Sequence, residues 1–337
     1  MTRPAPIIKA PLVDGFARTI SYLRLSVTDR CDLRCVYCMP EQMTFLPRKD
    51  LLSLGELHDL ARHFVARGIT RLRLTGGEPL VRRGVMELVQ ALGGLIGHGL
   101  EELTLTTNGT QLAAHAEGLY PAGVRRINVS LDTLDRDRYH ALSRRDRLDQ
   151  VLEGIAAAAA AGLQVKINTV ALKGQNEEEL PRLIEWAHGS GHALTLIEVM
   201  PLGDVGTDRA DQFLPLSAVR AALEERYTLV DIARRTGGPA RYVRVAETGG
   251  TLGFITPLTS NFCAGCNRIR VSATGQLFAC LGGAEQVDLR AAIRSGEAGA
   301  LDRALDAAMR IKPERHRFSV AAGAGPAQPR HMSLTGG

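Results

Sequence analysis

The feature that most constrains the fold is a repeat of strand-like segments, each followed by a segment with helical periodicity. Six strands are predicted, at residues 22–27, 71–74, 103–106, 126–130, 165–170 and 194–200. Strands that alternate with helices form parallel sheets with right-handed crossovers. The pattern therefore predicts an α/β fold, and we prefer an incomplete β/α barrel to a doubly wound sheet, which remains the alternative. In both folds, ligands bind at the carboxyl ends of the strands.

The regular alternation of strands and helices ends after about residue 205. A helix is predicted at residues 215–227, short strands at 241–245 and 251–255, and helices near 286–295 and 299–311. We therefore predict two domains, a barrel core at residues 1–225 and a smaller α+β domain at residues 226–337. The 337 residues are enough for both.

All six cysteines of the chain lie in two triplets. The triplets are Cys31, Cys35 and Cys38, and Cys263, Cys266 and Cys280. Thiolates this close together suit a soft metal centre. Structural zinc takes four ligands and iron–sulfur clusters normally take four cysteines, so three would leave one metal position open. Zinc remains the alternative, and it is the more serious one at the second triplet because C-x2-C is common in zinc ribbons.

Three cations lie inside predicted strands, each between two apolar residues. They are Arg24, Arg73 and Lys166. Because strand side chains alternate between faces, these cations face the barrel lumen if their neighbours face the helices. An unpaired buried charge is very costly, so we expect either an anionic ligand such as a nucleoside triphosphate or internal pairing. The carboxylates available for internal pairing are Glu78, Asp132 and Glu198.

Composition excludes several classes of function. The net charge is +5, but only 4% of the residues are aromatic and no basic run contains interleaved aromatics, which argues against nucleic-acid binding. No apolar run approaches the ~20 residues of a membrane span. Residues 1–13 lack the apolar segment of a secretory signal. Cysteines in metal-like spacing are typical of a reducing compartment, so we predict a cytoplasmic protein.

The first triplet, with Tyr37 directly before Cys38, resembles the cluster motif of the radical S-adenosylmethionine (SAM) superfamily. In that superfamily three cysteines hold a 4Fe–4S cluster, and SAM binds the fourth iron. Gly76-Gly77-Glu78 is by itself typical of a turn that leads into a helix at Pro79. Beside the cysteine loop, it resembles the superfamily segment that contacts the methionyl amino group.

Further segments resemble the GTP 3′,8-cyclase family over nearly the whole chain. They are residues 23–31, 73–80, 106–109, 126–132 and 263–280, Lys312-Pro313 with His316, and the terminal Gly336-Gly337. The second triplet separates this family from most radical SAM proteins. The resemblance implies an incomplete (βα)6 TIM-like radical SAM barrel with a smaller C-terminal α+β domain that carries a second iron–sulfur cluster. It also implies a homodimer.

The resemblance assigns roles residue by residue. Cys31, Cys35 and Cys38 would bind the SAM-cleaving 4Fe–4S cluster, and Cys263, Cys266 and Cys280 a second cluster whose open iron receives guanine. Tyr37, Gly77, Ser130 and Met200 match positions that line SAM. Arg24, Arg73, Thr106, Lys166, Arg268 and Arg270 match positions that contact GTP. The Gly336-Gly337 tail would insert toward the active site, although Thr335 stands where an apolar residue is more usual.

The reaction that the resemblance implies is the first step of molybdenum cofactor biosynthesis. A 5′-deoxyadenosyl radical takes the hydrogen at C3′ of GTP, and the C3′ radical adds to C8 of guanine, giving 3′,8-cyclo-7,8-dihydro-GTP. An electron donor would reduce the clusters, and a cyclic pyranopterin monophosphate synthase would act downstream. Two alternatives remain: a radical SAM enzyme that modifies a peptide, and a zinc-binding module without enzymatic activity.

Overall fold

The computed structural model describes residues 9–336, and its strands there form one continuous twelve-stranded sheet. The first six strands are β1 (Tyr22–Ser26), β2 (Arg71–Thr75), β3 (Glu102–Thr107), β4 (Arg126–Ser130), β5 (Gln164–Ala171) and β6 (Ala193–Glu198). They are all parallel and follow one another in chain order across the sheet. The predicted parallel α/β core is therefore confirmed.

The C-terminal strands extend both edges of this sheet. They are β7 (Leu229–Ile232), β8 (Arg241–Val245), β9 (Thr251–Ile255), β10 (Arg268–Val271), β11 (Gln276–Phe278) and β12 (Gln286–Asp288). The order is β12-β11-β10-β1-β2-β3-β4-β5-β6-β9-β8-β7. Strands β9 and β10 pair in parallel with β6 and β1, whereas β7, β8, β11 and β12 pair antiparallel. The sheet is mixed and does not close, so the incomplete barrel is confirmed.

Most of the helices cover the outer face of the barrel, and the last one belongs to the C-terminal tail. The helices are α1 (Leu54–Ala66), α2 (Val85–Gly93), α3 (Leu112–Leu119), α4 (Arg136–Ser143), α5 (Leu148–Ala160), α6 (Leu180–Gly189), α7 (Arg209–Gln212), α8 (Leu216–Glu224), α9 (Leu289–Arg294), α10 (Ala300–Arg310) and α11 (Met332–Thr335). The Ser53–Glu56 capping box, visible in the sequence, begins α1: the Glu56 N–H donates to Ser53 Oγ and the Ser53 N–H donates to Glu56 Oε2. In the part of the chain that the structure describes, no helix is long and apolar enough to cross a membrane.

Strand alternation places the apolar residues outward, against the helices. Leu23, Leu25, Leu72 and Leu74 are fully buried in one core with the apolar faces of α1 and α2. The residues between them must therefore point into the lumen. This alternation, rather than any local motif, places the strand cations inside the barrel.

The glycine pair after β2 is required by close packing. The Gly77 N–H donates to Thr28 O at 2.9 Å and the Glu78 N–H donates to Arg30 O at 2.8 Å. A Cβ on Gly77 would collide with the Arg30 carbonyl, and one on Gly76 would lie 2.5 Å from Thr28 O. Gly76 and Gly77 therefore let this turn lie directly against the backbone that leads into the first cysteine triplet.

We expect Gly77→Ala to destabilise the protein by about 1–3 kcal/mol, as overpacking does, because the new methyl group meets backbone that cannot rotate away. Thermal unfolding of the cluster-free protein measures the effect. Gly189→Ala is the control, since no atom lies within 4 Å of the position that its new methyl group would take. Equal midpoints for the two variants would contradict the packing role of Gly77.

Candidate active site

A cavity opens at the carboxyl ends of β2 to β6, and we name it the Cys31 cavity. Its walls include Cys31, Cys35, Cys38, Tyr37, Gly77, Thr106, Ser130 and Met200. The structure thus brings together the first triplet and all four residues that were matched to SAM-lining positions. Thr106, which was matched to a GTP-contacting position, also lies here.

A second cavity occupies the lumen, and we name it the Cys263 cavity. Its walls include Cys263, Cys266, Cys280, Arg24, Arg73, Lys166, Arg268 and Arg270. Asn168, Ile197 and Met200 line both cavities, so the two spaces adjoin at these residues.

Sheet register crowds three of the cations together. On adjacent strands β10, β1 and β2, Arg270 lies opposite Arg24, and Arg24 lies opposite Arg73. Like charges directly opposite one another on a sheet are destabilising. Burial, together with the charges of Arg73 and Arg268, lowers the pKa of Arg24 to about 10. Burial and the neighbouring Arg73 and Arg126 charges also hold the pKa of Lys166 well below its ordinary value.

The carboxylates considered for internal pairing are engaged elsewhere. Glu78 accepts hydrogen bonds from the Leu80 and Asn108 N–H groups and from Thr107 Oγ1, and Asp132 accepts from Tyr37 OH and the Val170 N–H. Glu198 accepts from the N–H groups of Leu216, Leu258 and Thr259. Among residues 9–336, none of the five lumen cations forms an ion pair. The alternative prediction, that these carboxylates form ion pairs with the lumen cations, is therefore wrong. Binding of an anionic ligand is the interpretation that remains.

Two buried tyrosines, which the sequence analysis did not single out, hold two of the cations. Arg73 Nε donates to Tyr22 OH at 2.5 Å and its Nη1 donates to Thr106 Oγ1 at 3.0 Å. Lys166 Nζ donates to Tyr242 OH at 3.4 Å. Tyr22 could have been found from the sequence, because it lies two residues before Arg24 on the same strand and so on the same face. Tyr242 carried no such signal.

The two triplets supply thiol donors. In the described residues, no three His, Cys, Asp or Glu side chains are grouped to hold one metal ion. Iron–sulfur clusters are held by cysteine thiolates and normally take four of them, so a cluster held by three would keep one iron open. The chemistry of the donor sets therefore fits the clusters that the resemblance implies.

The surroundings of the thiols differ between the two triplets. Burial raises the pKa of Cys35, and it raises that of Cys38 to about 11, so both remain thiols unless a cation binds them. At the second triplet, burial likewise opposes ionisation, but the Lys312 and Arg268 charges hold the pKa of Cys266 below its ordinary value. Lys312 Nζ lies 3.7 Å from Cys266 Sγ. Lys312 is therefore a neighbour of the second metal site.

The C-terminal tail closes the carboxyl end of the barrel. The Ala327 N–H donates to Pro201 O and the Gly203 N–H donates to Gln328 O, each at 2.9 Å. Met332 and Ser333 line the Cys31 cavity, and Thr335 is fully buried. Arg270 Nη1 donates to Gly336 O at 2.5 Å. The tail thus reaches the lumen cations, as the resemblance implied, while Gly337 lies outside the described residues.

Comparison with protein families covers most of the chain. Residues 25–187 match the model of the radical SAM superfamily, and residues 192–318 match that of Molybdenum Cofactor Synthesis C. The first match includes the first cysteine triplet and the second match includes the second triplet.

Curated relatives match over almost their whole length. A GTP 3′,8-cyclase of Erythrobacter litoralis (strain HTCC2594) is 69% identical over 97% of this chain and 98% of its own. One from Bradyrhizobium diazoefficiens (strain JCM 10833 / BCRC 13528 / IAM 13628 / NBRC 14792 / USDA 110) is 58% identical over 99% and 98%. One from Rhizobium etli (strain CIAT 652) is 57% identical over 97% and 94%.

Solved structures share the fold. Streptococcus suis SuiB bound to S-adenosylmethionine superposes with a TM-score of 0.59 at 18% identity, covering 90% of this chain and 78% of SuiB. The anSMEcpe structure with bound AdoMet gives 0.58 at 14% identity, covering 86% and 82%. Fold, cysteine triplets and curated relatives agree: the chain belongs to the GTP 3′,8-cyclase family of the radical SAM superfamily.

Proposed function

We propose that this protein is a radical SAM enzyme that converts GTP to 3′,8-cyclo-7,8-dihydro-GTP, the first step of molybdenum cofactor biosynthesis. The observation that carries the proposal is a lumen in which five cations without a carboxylate partner, in the described residues, surround the second triplet. The adjoining Cys31 cavity supports it, since a radical made there can reach a nucleotide in the lumen. The near full-length relatives name the same activity. They also disfavour the peptide-modifying and zinc-module alternatives.

The cofactors proposed are SAM and two 4Fe–4S clusters. Cys31, Cys35 and Cys38 would hold one cluster, and Cys263, Cys266 and Cys280 the other. When bound, these groups supply the 5′-deoxyadenosyl radical, the electrons and an open iron for guanine. Tyr37, Gly77, Ser130 and Met200 line SAM. Tyr37 OH donates to Asp132 at 2.6 Å, which holds the ring beside Cys38.

The chain's own residues bind and shield GTP. Arg24, Arg73, Lys166, Arg268 and Arg270 bind the triphosphate, and the planar guanidinium groups suit bidentate phosphate contacts. Tyr22 and Thr106 accept hydrogen bonds from Nε and Nη1 of Arg73. These bonds orient the guanidinium group, and its free Nη2 edge, before GTP binds. The buried tail excludes water from the carboxyl end, where radical chemistry would begin.

Several assignments extend beyond the site. We infer a reducing, cytoplasmic setting, an electron donor for the clusters, a cyclic pyranopterin monophosphate synthase downstream and a homodimer. No nucleic acid or membrane partner is proposed. All six cysteines are free of disulfides, which supports the reducing setting.

Anaerobic reconstitution should yield about eight iron and eight sulfide per chain. Removing the second triplet by substituting alanine at Cys263, Cys266 and Cys280 should leave about four of each, and removing the first triplet should do the same. Metal and sulfide analysis with an ultraviolet–visible spectrum measures this. Stoichiometric zinc without iron in the wild-type protein would contradict the cluster assignment.

Lys166→Ala should weaken GTP binding about 10- to 100-fold, because a charge-assisted phosphate contact contributes about 1.5–3 kcal/mol. Both clusters should be retained. Equilibrium dialysis with GTP and iron analysis measure the two effects. Lys173→Ala is the control, since Lys173 is exposed and lines neither cavity. Unchanged GTP affinity in Lys166→Ala would remove Lys166 from the site.

GTP binding should include proton uptake by Lys166. Its pKa is lowered in the free enzyme by burial and neighbouring arginines, and bound phosphates offset those charges and raise it again. A proton is therefore taken up at any pH between the lowered and the restored pKa. Calorimetry in buffers of different ionisation enthalpy measures the proton count. Lys166→Arg keeps the charge without titrating, so an unchanged proton count in that variant would contradict the assignment.

A further inference from the structure

The amino-terminal end of the barrel carries a groove beside the loop at residues 233–240, which joins β7 to β8. The charged residues that line it are Arg71, Asp231, Arg234, Arg235, Arg241 and Arg268. We name this groove the arginine port. Arg71 and Arg268 are the first residues of the parallel strands β2 and β10, so they mark the amino-terminal end. The antiparallel pair β7–β8 brings the 233–240 loop to this end, where Gly237 lies against the Arg71 side chain.

The positive charge of the arginine port is not compensated. Arg234, Arg235 and Arg241 are exposed and form no ion pair within residues 9–336. Asp231 lies 3.3 Å from Arg220, so it is already engaged. Arg71 is 3.9 Å from Glu102, but Glu102 pairs more closely with Arg126, at 2.6 Å. The groove therefore attracts anions.

The arginine port adjoins the Cys263 cavity. Six residues line both spaces: Thr236, Gly238, Pro239, Ala240, Phe262 and Arg268. Four of them belong to the 233–240 loop, which therefore forms much of the wall between solvent and lumen. Within the described residues, the loop backbone forms no hydrogen bond outside the β7–β8 ladder, and Thr236 Oγ1 contacts Tyr242 OH at 3.2 Å. Arg234 Nη1 also donates to Thr251 Oγ1 at 3.5 Å, and the Arg234 guanidinium lies 5.7 Å from the centroid of the Tyr242 ring. Opening the loop therefore breaks side-chain contacts but no backbone hydrogen bond of residues 233–240 within the described residues.

At the other end of the barrel, the described part of the C-terminal tail lies over the strand ends. There the tail pairs with Pro201 and Gly203, and its buried residues Ser333 and Thr335 fill the space above the lumen. A nucleotide arriving at the carboxyl end would have to displace these contacts. One arriving through the arginine port would only move the 233–240 loop.

We propose that the nucleoside triphosphate reaches the lumen through the arginine port, with Arg234, Arg235 and Arg241 attracting its polyphosphate before the loop gives way. This inference rests on the proposed function, since it assumes that GTP binds in the Cys263 cavity. The three arginines act on the way in and not in the final complex. They should therefore govern the rate of association and leave turnover at saturating GTP unchanged.

The test measures association of a GTP analogue that carries a fluorophore on its γ-phosphate. Stopped-flow mixing with the reconstituted holoenzyme without SAM is followed at low and high salt. Replacing Arg234 and Arg235 by serine, or Arg241 by serine, should lower the association rate constant several-fold to about tenfold at low salt, and the difference should shrink at high salt. Arg244→Ser is the matched control, because Arg244 is exposed on the same strand but does not line the groove.

Removal of residues 327–337 tests the opposite route in the same assay. Association that stays at the wild-type rate in this truncation supports the arginine port, whereas faster association would show that GTP comes in past the tail and overturn the proposal. Equal rates for the Arg241→Ser and Arg244→Ser variants would overturn it too. Equilibrium dialysis with unlabelled GTP distinguishes the two proposals. A wild-type enzyme that fails to bind GTP refutes the proposed function. If the wild-type enzyme binds GTP but the arginine variants leave the association rate constant unchanged, only the port is refuted.

Discussion

Arg270, Arg24 and Arg73 lie side by side on β10, β1 and β2, and their repulsion is the constraint on which the lumen depends. In the described residues, no carboxylate neutralises them, and Lys166 faces the same space from β5. Side-chain hydrogen bonds to Tyr22, Thr106 and Tyr242 orient the cations without removing their charge. Such an arrangement persists because the surrounding sheet is well packed, and it becomes favourable when a polyanion binds.

The Cys31 cavity depends on close backbone packing beside the cysteine loop. Gly76 and Gly77 let the turn after β2 lie against residues 28–30, just before the first cysteine triplet. Glu78, the next residue, is fully buried, and burial raises its pKa to about 7 against three hydrogen bonds that favour the charged form. Close packing and buried hydrogen bonds thus account for Gly76-Gly77-Glu78 on structural grounds, in addition to the SAM-contacting role that the resemblance implies. The two roles of Gly76-Gly77-Glu78 are compatible, since the same turn forms one wall of the Cys31 cavity.

The barrel has two chemically different ends. At the carboxyl end, the tail buries Ser333 and Thr335 and brings Gly336 to Arg270. At the amino end, arginines of β2, β8, β10 and the 233–240 loop surround a groove. Under the proposed function, this asymmetry would separate the two reactants, with SAM in the Cys31 cavity and the phosphates among the lumen cations. A radical enzyme benefits from such separation, because water is kept from the end where the radical forms.

The sequence by itself determined the parallel strands, the inward direction of Arg24, Arg73 and Lys166, and the grouping of each cysteine triplet. The strands themselves, the inward direction of the cations and the first triplet follow from spacing within a few residues, because strand periodicity is a local property. The sequence could not decide whether Glu78, Asp132 and Glu198 pair with the cations, because backbone N–H groups distant in the chain compete for them.

Only the tertiary structure decided which distant residues meet. Pairing of β10 with β1 sets Arg270 beside Arg24, although the two are far apart in the chain. Strands β10 to β12 are three or four residues long, too short for a periodic pattern, and their place in the sheet follows from packing rather than from local preference. Tyr242, the tail and the arginine port likewise depend on how the C-terminal residues extend both edges of the sheet. The local sequence pattern determines the face of the sheet on which a side chain lies. The register and curvature of the sheet determine which residues it contacts on that face.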